Sequence, residues 1–384
     1  MAFNSKRIIV KLGTSTLTGG EGLALDRVFI NSLAAQITQL RQENCLAILV
    51  SSGAIRAGMG LLGLREKPRT IPEKQAAASV GQGALMALYG DIFANYGIPV
   101  GQVLLTRDDL KNRARYVNAR NTFEALLAAG ALPIVNENDT VATEEIRVGD
   151  NDTLAALVAS LVDADELILL SDVRGLYDRN PAIHADAHLI EHVAKITPSI
   201  RAMAGGAGTS AGTGGMLTKS AAAEIATSSG AGMWIANGRR PHILRECLQK
   251  TPGSGTFFAP AAARPSARKR WLAWASGSPR GAVIVNISAR RALEEEGRSL
   301  LPVGVVGVEG AFSVGELISV ADETGDIFAR GLTRYASEDV QRIAGASTAS
   351  LATALGRETI PSHEIIHRDS LALLQGTLTP DRAI

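Results

Sequence analysis

The sequence predicts an α/β protein, a mostly parallel sheet sandwiched by helices and followed by a small β-rich module. Three observations predict it. Up to about residue 260, short aliphatic runs alternate with longer alanine-rich segments, the order that builds parallel sheets covered by helices on both faces. The runs are apolar almost throughout rather than at every second residue, as suits strands buried on both sides. After Phe258 the chain changes to brief, glycine-punctuated runs separated by turn signals.

In chain order, strands are expected over 7–12, 46–51, 100–105, 132–136, 166–170 and 233–236, with helices over 26–41, 75–96, 121–129, 153–162 and 218–229. Residues 1–260 form the first expected domain. The stretch 259–270 reads Ala-Pro-Ala-Ala-Ala-Arg-Pro-Ser-Ala-Arg-Lys-Arg without periodicity, so a linker is expected over 261–275. A second domain is expected over 276–357, built on runs at 281–287, 303–308 and 317–320. Residues 358–384 have weak patterning and are expected to form a C-terminal tail, partly without order.

Composition narrows the class. The 384 residues exceed what one core usually supports. Hydrophobic content of 46% against 4% aromatics calls for aliphatic cores, and a formal charge of +1 gives no global argument for a nucleic-acid or membrane partner. Cys45 and Cys247 stand far apart in apolar settings, as buried thiols of a reducing compartment do. No apolar run approaches the roughly 20 residues of a membrane span. The N-terminal residues enter the first strand with no apolar stretch and cleavage site, so a cytoplasmic location is expected.

In parallel sheets, ligands sit at the carboxyl ends of the strands, so those ends carry the chemistry. The first strand leaves as Val10-Lys11-Leu12-Gly13-Thr14-Ser15. There an ammonium and turn N–H groups suit a phosphate, although a lysine at a strand end is ordinarily solvated. The second leaves as Ser51-Ser52-Gly53, whose small residues admit either a ligand or a plain turn. The fourth leaves as Asn136-Glu137-Asn138-Asp139, and Gly149-Asp150-Asn151-Asp152-Thr153 opens the next helix. Interleaved Asn and Asp supply both donors and acceptors, which suits a zwitterionic amino acid; a polar loop and a metal site compete, but a cation loop needs tighter ligand spacing. Gly212-Thr213-Gly214-Gly215-Met216-Leu217-Thr218-Lys219 precedes an alanine-rich helix. It reads as a phosphate cradle or as a flexible glycine loop, and it does not fit the P-loop pattern. His184, His188 and His192 share a helical spacing, but Asn180-Pro181 opens their segment and a metal role is discounted.

Taken in this order, the segments resemble the glutamate 5-kinases of the amino acid kinase superfamily. The stretches that carry the likeness are 10–15, 50–55, 113–120 (Arg-Ala-Arg-Tyr-Val-Asn-Ala-Arg), 133–140, 148–153, 170–177 and 212–219. The C-terminal module, with Ser299-Leu300-Leu301-Pro302, Gly315-Glu316 and Ala329-Arg330-Gly331, resembles a PUA domain. The resemblance implies the amino acid kinase fold and ATP- and Mg²⁺-dependent phosphorylation of the side-chain carboxylate of L-glutamate, the first step of proline biosynthesis. It implies catalytic roles for Lys11, Asp152 and Lys219, with Asp152 holding both ammonium groups. Ser52, Asn136, Asp139 and Asn151 would bind glutamate. Lys11, Gly13, Ser171, Asp172, Thr213, Gly214, Gly215, Met216, Leu217, Thr218 and Lys219 would contact ATP; no metal ligands are assigned. Where the family usually has threonine this chain has Ser171, which keeps the hydroxyl. It departs from the family at Asp178-Arg179-Asn180-Pro181-Ala182, so no role is assigned there.

The resemblance also implies a homo-oligomer, L-proline as feedback inhibitor and a glutamyl phosphate reductase as recipient of the product. Two alternatives stay open: a kinase for N-acetylglutamate or aspartate, and RNA binding through the PUA-like module with Arg290, Arg291, Arg330 and Arg334 on a basic face.

Overall fold

The structure, a computed structural model, describes residues 5–18, 24–142, 151–205 and 215–378. The chain divides into two compact units, Met1–Arg264 and Pro265–Ile384.

The first unit is built on an eight-stranded sheet. Its strands are β1 (Lys6–Leu12), β2 (Cys45–Ser51), β3 (Val100–Leu105), β4 (Leu132–Glu137), β5 (Glu166–Ser171), β6 (His192–Val193), β7 (Gly232–Asn237) and β8 (Thr256–Phe258), in the order β3-β4-β2-β1-β5-β7-β8-β6. All strands from β3 across to β7 run parallel, while β8 is antiparallel to β7. Every expected strand of this unit is present. β5 is buried at each position, β1 from Ile8 onward, and β2 at every residue but Leu46, as continuous apolar runs require.

Strand β1 lies at the centre. From it the chain moves to β2, on to the edge at β3, back to β4 between those two, and then crosses to the other side of β1 at β5. This reversal opens a crevice at the carboxyl ends of β1, β2 and β5, the usual ligand position in such sheets. Helix Arg27–Gln42 turns its Phe29, Ile30, Leu33, Ala34, Ile37 and Leu40 onto the core. Its N-cap Asp26 accepts from the Phe29 N–H, satisfying a donor the helix cannot use itself. Helix Asn151–Leu161 is buried from Leu154 to Leu161 and packs against helix Met216–Ser228.

Two helices the sequence reading missed or shortened frame one side of the crevice. Ala54–Leu61 follows Gly53, which sits at φ 97°, a left-handed conformation that favours glycine. Ile71–Ala94 begins four residues earlier than expected, through a capping box of Thr70 and Glu73 with proline in the first turn. The two helices cross backbone to backbone. A Cβ on Gly58 would stand 1.8 Å from the Ala77 carbonyl oxygen, and one on Gly81 would stand 1.8 Å from that of Ala54.

The second unit holds a five-stranded sheet of β9 (Gly281–Val285), β10 (Val305–Gly310), β11 (Leu317–Asp322), β12 (Ile327–Leu332) and β13 (Leu371–Leu378), ordered β10-β9-β11-β12-β13. Here the expected boundaries need correction. The segment 261–275 is no free linker: Ala267–Arg270 is helical, and Leu272 and Ala273 are buried with Leu317, Ala372 and Leu374. The expected tail is equally structured to residue 378. β13 pairs with β12, and Ile365, Ile366 and Leu371 enter the unit's core. Both segments are too short, and too mixed with proline or charge, to show a period on their own.

Helical glycine replaced by alanine ordinarily gains about 1 kcal/mol. At the crossing the sign should reverse. Gly81→Ala is expected to destabilise the protein by at least the ~1–3 kcal/mol typical of overpacking, read as a lower midpoint of chemical denaturation, whereas Gly83→Ala, with open space around it, should be neutral or stabilising.

Candidate active site

Lys11 leaves β1 next to the crevice and is 5% exposed, so it is not the solvated lysine of the ordinary case. Its Nζ lies 2.6 Å from Asp152 Oδ1, and the Nζ of Lys219, 6% exposed, lies 3.1 Å from Asp152 Oδ2. Asp152 is fully buried. Burial by itself drives its pKa up, but the two ammonium groups outweigh that and hold the carboxyl well below the ordinary carboxylate range. The Thr218 hydroxyl lies between Asp152 Oδ2 at 3.2 Å and the Gly215 carbonyl at 2.7 Å and donates to one or the other. Three residues distant in sequence, Lys11, Asp152 and Lys219, therefore meet as one buried cluster. Helix Met216–Ser228 begins at Gly215 with no side-chain cap, so its first N–H groups face the same region ready for an anion.

A second cluster begins one residue away. Consecutive residues of a helix point about 100° apart, and Asn151 is directed away from Asp152, toward β2 and β4. Its Nδ2 lies 2.8 Å from Ser52 Oγ, 3.2 Å from Asn136 Oδ1 and 3.4 Å from the Ser51 carbonyl. Asn136 in turn donates to Gln82 Oε1 at 2.8 Å, and its own Oδ1 accepts from the Glu137 N–H at 2.9 Å. Gln82 was not anticipated from the sequence, where it is one polar residue in a run of small ones; only the close helix crossing at Gly81 brings it to this network.

Asp139, just beyond β4, is half-buried and makes no hydrogen bond or ion pair with any described residue. Burial raises its pKa to about 6. At neutral pH it is therefore a largely ionised carboxylate in a poorly solvated place, and a cation beside it would relieve the strain.

At the other side of β1, Ser171 ends β5 and its hydroxyl donates to Asp172 Oδ1 at 2.9 Å. Asn237 ends the neighbouring β7, opposite Ser171 in register, and donates to the Asp172 carbonyl at 3.3 Å. Gly13 stands between: a Cβ there would be 3.7 Å from the Leu170 carbonyl oxygen and 3.9 Å from Lys11 Nζ. Met216 and Leu217 open the helix that carries Thr218 and Lys219, with Leu217 exposed. Thr213 and Gly214 lie outside the described residues.

The remaining candidates separate from this site. The segment with His184, His188 and His192 is not a helix: turns and a bridge between Tyr177 and Leu189 lead into β6. In the second unit the arginines of the expected basic face are engaged. Arg290 is paired with Glu294, Asp322 and Asp326, and Arg291 with Glu295. Arg334 lies 3.9 Å from Glu364, and Arg330 reaches the Ala273 carbonyl at 3.4 Å.

Comparison with known proteins agrees with this geometry. A model of the amino acid kinase family matches residues 6–237 and one of the PUA domain matches residues 281–355. The chain is 50% identical to a glutamate 5-kinase of Moorella thermoacetica over 96% of its own length and 97% of the relative's. It is 47% identical to one of Caldanaerobacter subterraneus and 46% to one of Syntrophotalea carbinolica, each over 96% of this chain and at least 97% of the relative. With the site at the carboxyl ends of a doubly wound parallel sheet and this similarity running almost end to end, the chain belongs to the glutamate 5-kinase family of amino acid kinases.

Proposed function

We propose that the protein transfers the γ-phosphoryl group of ATP to the side-chain carboxylate of L-glutamate, yielding L-glutamyl 5-phosphate for proline biosynthesis. The observation that carries this reading is the pairing of two unlike subsites on one helix start. A cluster of Lys11, Asp152 and Lys219 adjoins the amide network of Asn151 and Asn136, whose strand leads on to the half-buried carboxylate Asp139.

In the ATP subsite, Gly13 leaves room for phosphates beside Lys11, and Ser171 with Asp172 and Asn237 borders the nucleotide. Thr213, Gly214, Gly215, Met216, Leu217 and Thr218 lead into the helix bearing Lys219. In the amino-acid subsite, Asp139 receives the ammonium group, while Ser52, Asn136 and Asn151 orient the rest. An acetylated or carbamoyl acceptor has no cation to place against Asp139, which favours L-glutamate over N-acetylglutamate.

The residues perform the transfer by position and charge. A glutamate side chain has an ordinary pKa of about 4.3, so at neutral pH the acceptor is already an ionised nucleophile and no general base is needed. Repulsion between two anions is the obstacle, and Lys11 and Lys219 oppose it from both sides of the phosphoryl group. Asp152 keeps the two ammonium groups together. The donor set suits a magnesium ion carried on ATP rather than caged by the chain: among the described residues no group of three or more His, Cys, Asp or Glu could hold a metal ion, and both Asp152 oxygens face lysines. When bound, Mg²⁺ supplies charge neutralisation on the phosphate oxygens.

A homo-oligomer, L-proline as an inhibitor overlapping the glutamate pocket, a reductase that takes up the labile acyl phosphate, and a cytoplasmic location complete the proposal. No described helix is long and apolar enough to cross a membrane.

Three outcomes test it. Hydroxylamine should trap γ-glutamyl hydroxamate from ATP, Mg²⁺ and L-glutamate; hydroxamate from N-acetylglutamate or L-aspartate alone would overturn the substrate assignment. Lys219→Ala should lower kcat by about 10²–10³-fold, the scale of a lost transition-state donor, with a much smaller change in the glutamate KM; near-normal turnover would remove Lys219 from the transition state. Asp139→Asn should raise the glutamate KM. Because the wild-type carboxyl titrates near 6, the wild-type KM should climb as pH falls through that value while the variant's stays flat. The same raised pKa means that ionised Asp139 costs folding stability above about pH 6 and nothing below its unfolded value of about 3.9. The variant should therefore melt higher than wild type at pH 8, with the gap closing toward pH 4.

A further inference from the structure

We infer that Gln82 is a specificity-determining residue whose side-chain N–H₂ binds the α-carboxylate of the amino-acid acceptor. The argument rests on the proposed glutamate site and follows from how each amide in that site is forced to face.

Amide oxygens and nitrogens look alike, and their orientation is settled only by a partner whose role is fixed. Two such partners anchor this network. The Glu137 backbone N–H can only donate, and it lies 2.9 Å from Asn136 Oδ1. Asn136 therefore presents its Nδ2 on the other side, toward Gln82 at 2.8 Å, and Gln82 must answer with Oε1. The Ser51 carbonyl can only accept, and Asn151 Nδ2 faces it at 3.4 Å while also reaching Asn136 Oδ1. The backbone thus dictates the direction of all three amides.

Two groups remain with no hydrogen-bond partner although both are shielded from solvent: Gln82 Nε2, a donor, and Asn151 Oδ1, an acceptor. A buried polar group left unpaired costs free energy. Here one donor and one acceptor are left over beside β4, the strand that leads on two residues later to the half-buried carboxylate Asp139. An α-amino acid satisfies that set: its carboxylate takes the Gln82 N–H₂, and its ammonium group has Asp139 and the Asn151 oxygen. The side-chain carboxylate belongs beside Lys219 and the phosphoryl group, which leaves the α-carboxylate for Gln82, bound as it is through Asn136 to β4, which ends two residues before Asp139. Gln82 can occupy this place because Gly81 lets its helix approach helix Ala54–Leu61 at backbone contact.

The test is Gln82→Glu, which keeps an oxygen for Asn136 and replaces the donor with a second acceptor. The L-glutamate KM should rise about 10- to 100-fold, the size of a lost hydrogen bond to a charged group, with the ATP KM unchanged and kcat within a few-fold. Gln82→Met, nearly the same size, should show a smaller rise and guard against a variant that fails to fold. The deciding measurement uses L-glutamate α-amide, which lacks the α-carboxylate. Wild type should prefer L-glutamate, and the Gln82→Glu variant should lose most of that preference, because its KM for the α-amide barely changes. An unchanged L-glutamate KM, or an equal rise for both acceptors, would overturn the inference while leaving the glutamate reading intact. If wild type itself fails to phosphorylate L-glutamate, the reading of the whole site falls instead.

Discussion

The structure of the first unit depends on one interaction, the grip of Asp152 on Lys11 and Lys219. A buried carboxylate and two buried ammonium groups cannot be stable unless they meet, since each alone would lose its hydration without return. Their meeting joins β1, the helix that begins at Asn151 and the helix that begins at Met216. In the proposed reading, the phosphate groups of ATP bind beside this joint.

The sheet topology makes this grip possible. Because β1 is central and the chain reverses around it, the carboxyl ends of β1, β2, β4, β5 and β7 all open on one edge. Residues from five separate strands can then share one crevice without any loop having to reach far. The start of the Asn151 helix divides that crevice. Asn151 faces the amide network and Asp152 faces the lysines, so a single turn of backbone sets the distance between the acceptor and the phosphoryl group.

Much of this was legible in the sequence, for identifiable reasons. The strands of the first unit are continuous apolar runs, which no surface helix produces, and their polar exits mark the crevice. Ser52, Asn136 and Asn151 stand at those exits and do come together. What the sequence could not convey was contact between distant segments: nothing near Gln82 marks it as part of the site, and Gly58 and Gly81 read as helix-weakening residues rather than as the crossing point of two helices. The start of helix Ile71–Ala94 was misplaced because Pro72 reads as a breaker, when at the first turn it costs no hydrogen bond. In the second unit, β13 and the turn at Leu272 become recognisable only through the partners they bury against. The ion pairs of Arg290 with Asp322 and Asp326, from another part of the chain, were hidden from the sequence for a similar reason.

The two halves of the crevice are opposite in electrical character, and this asymmetry orients the substrate. One half holds two lysines joined to an aspartate; the other holds neutral amides whose directions the backbone fixes, on a strand that leads on to the half-buried Asp139. In the proposed reading the ammonium group of glutamate goes to Asp139 and its side-chain carboxylate to the lysines, while the α-carboxylate, at the same end as the ammonium, takes the neutral donor of Gln82. The reversed orientation would set the side-chain carboxylate against Asp139, in a poorly solvated place where such a contact is most costly. Orientation of this kind explains why a reaction whose nucleophile needs no activation still needs so much protein: the work of the site is to bring two anions together in line, and each fixed charge and amide serves that placement.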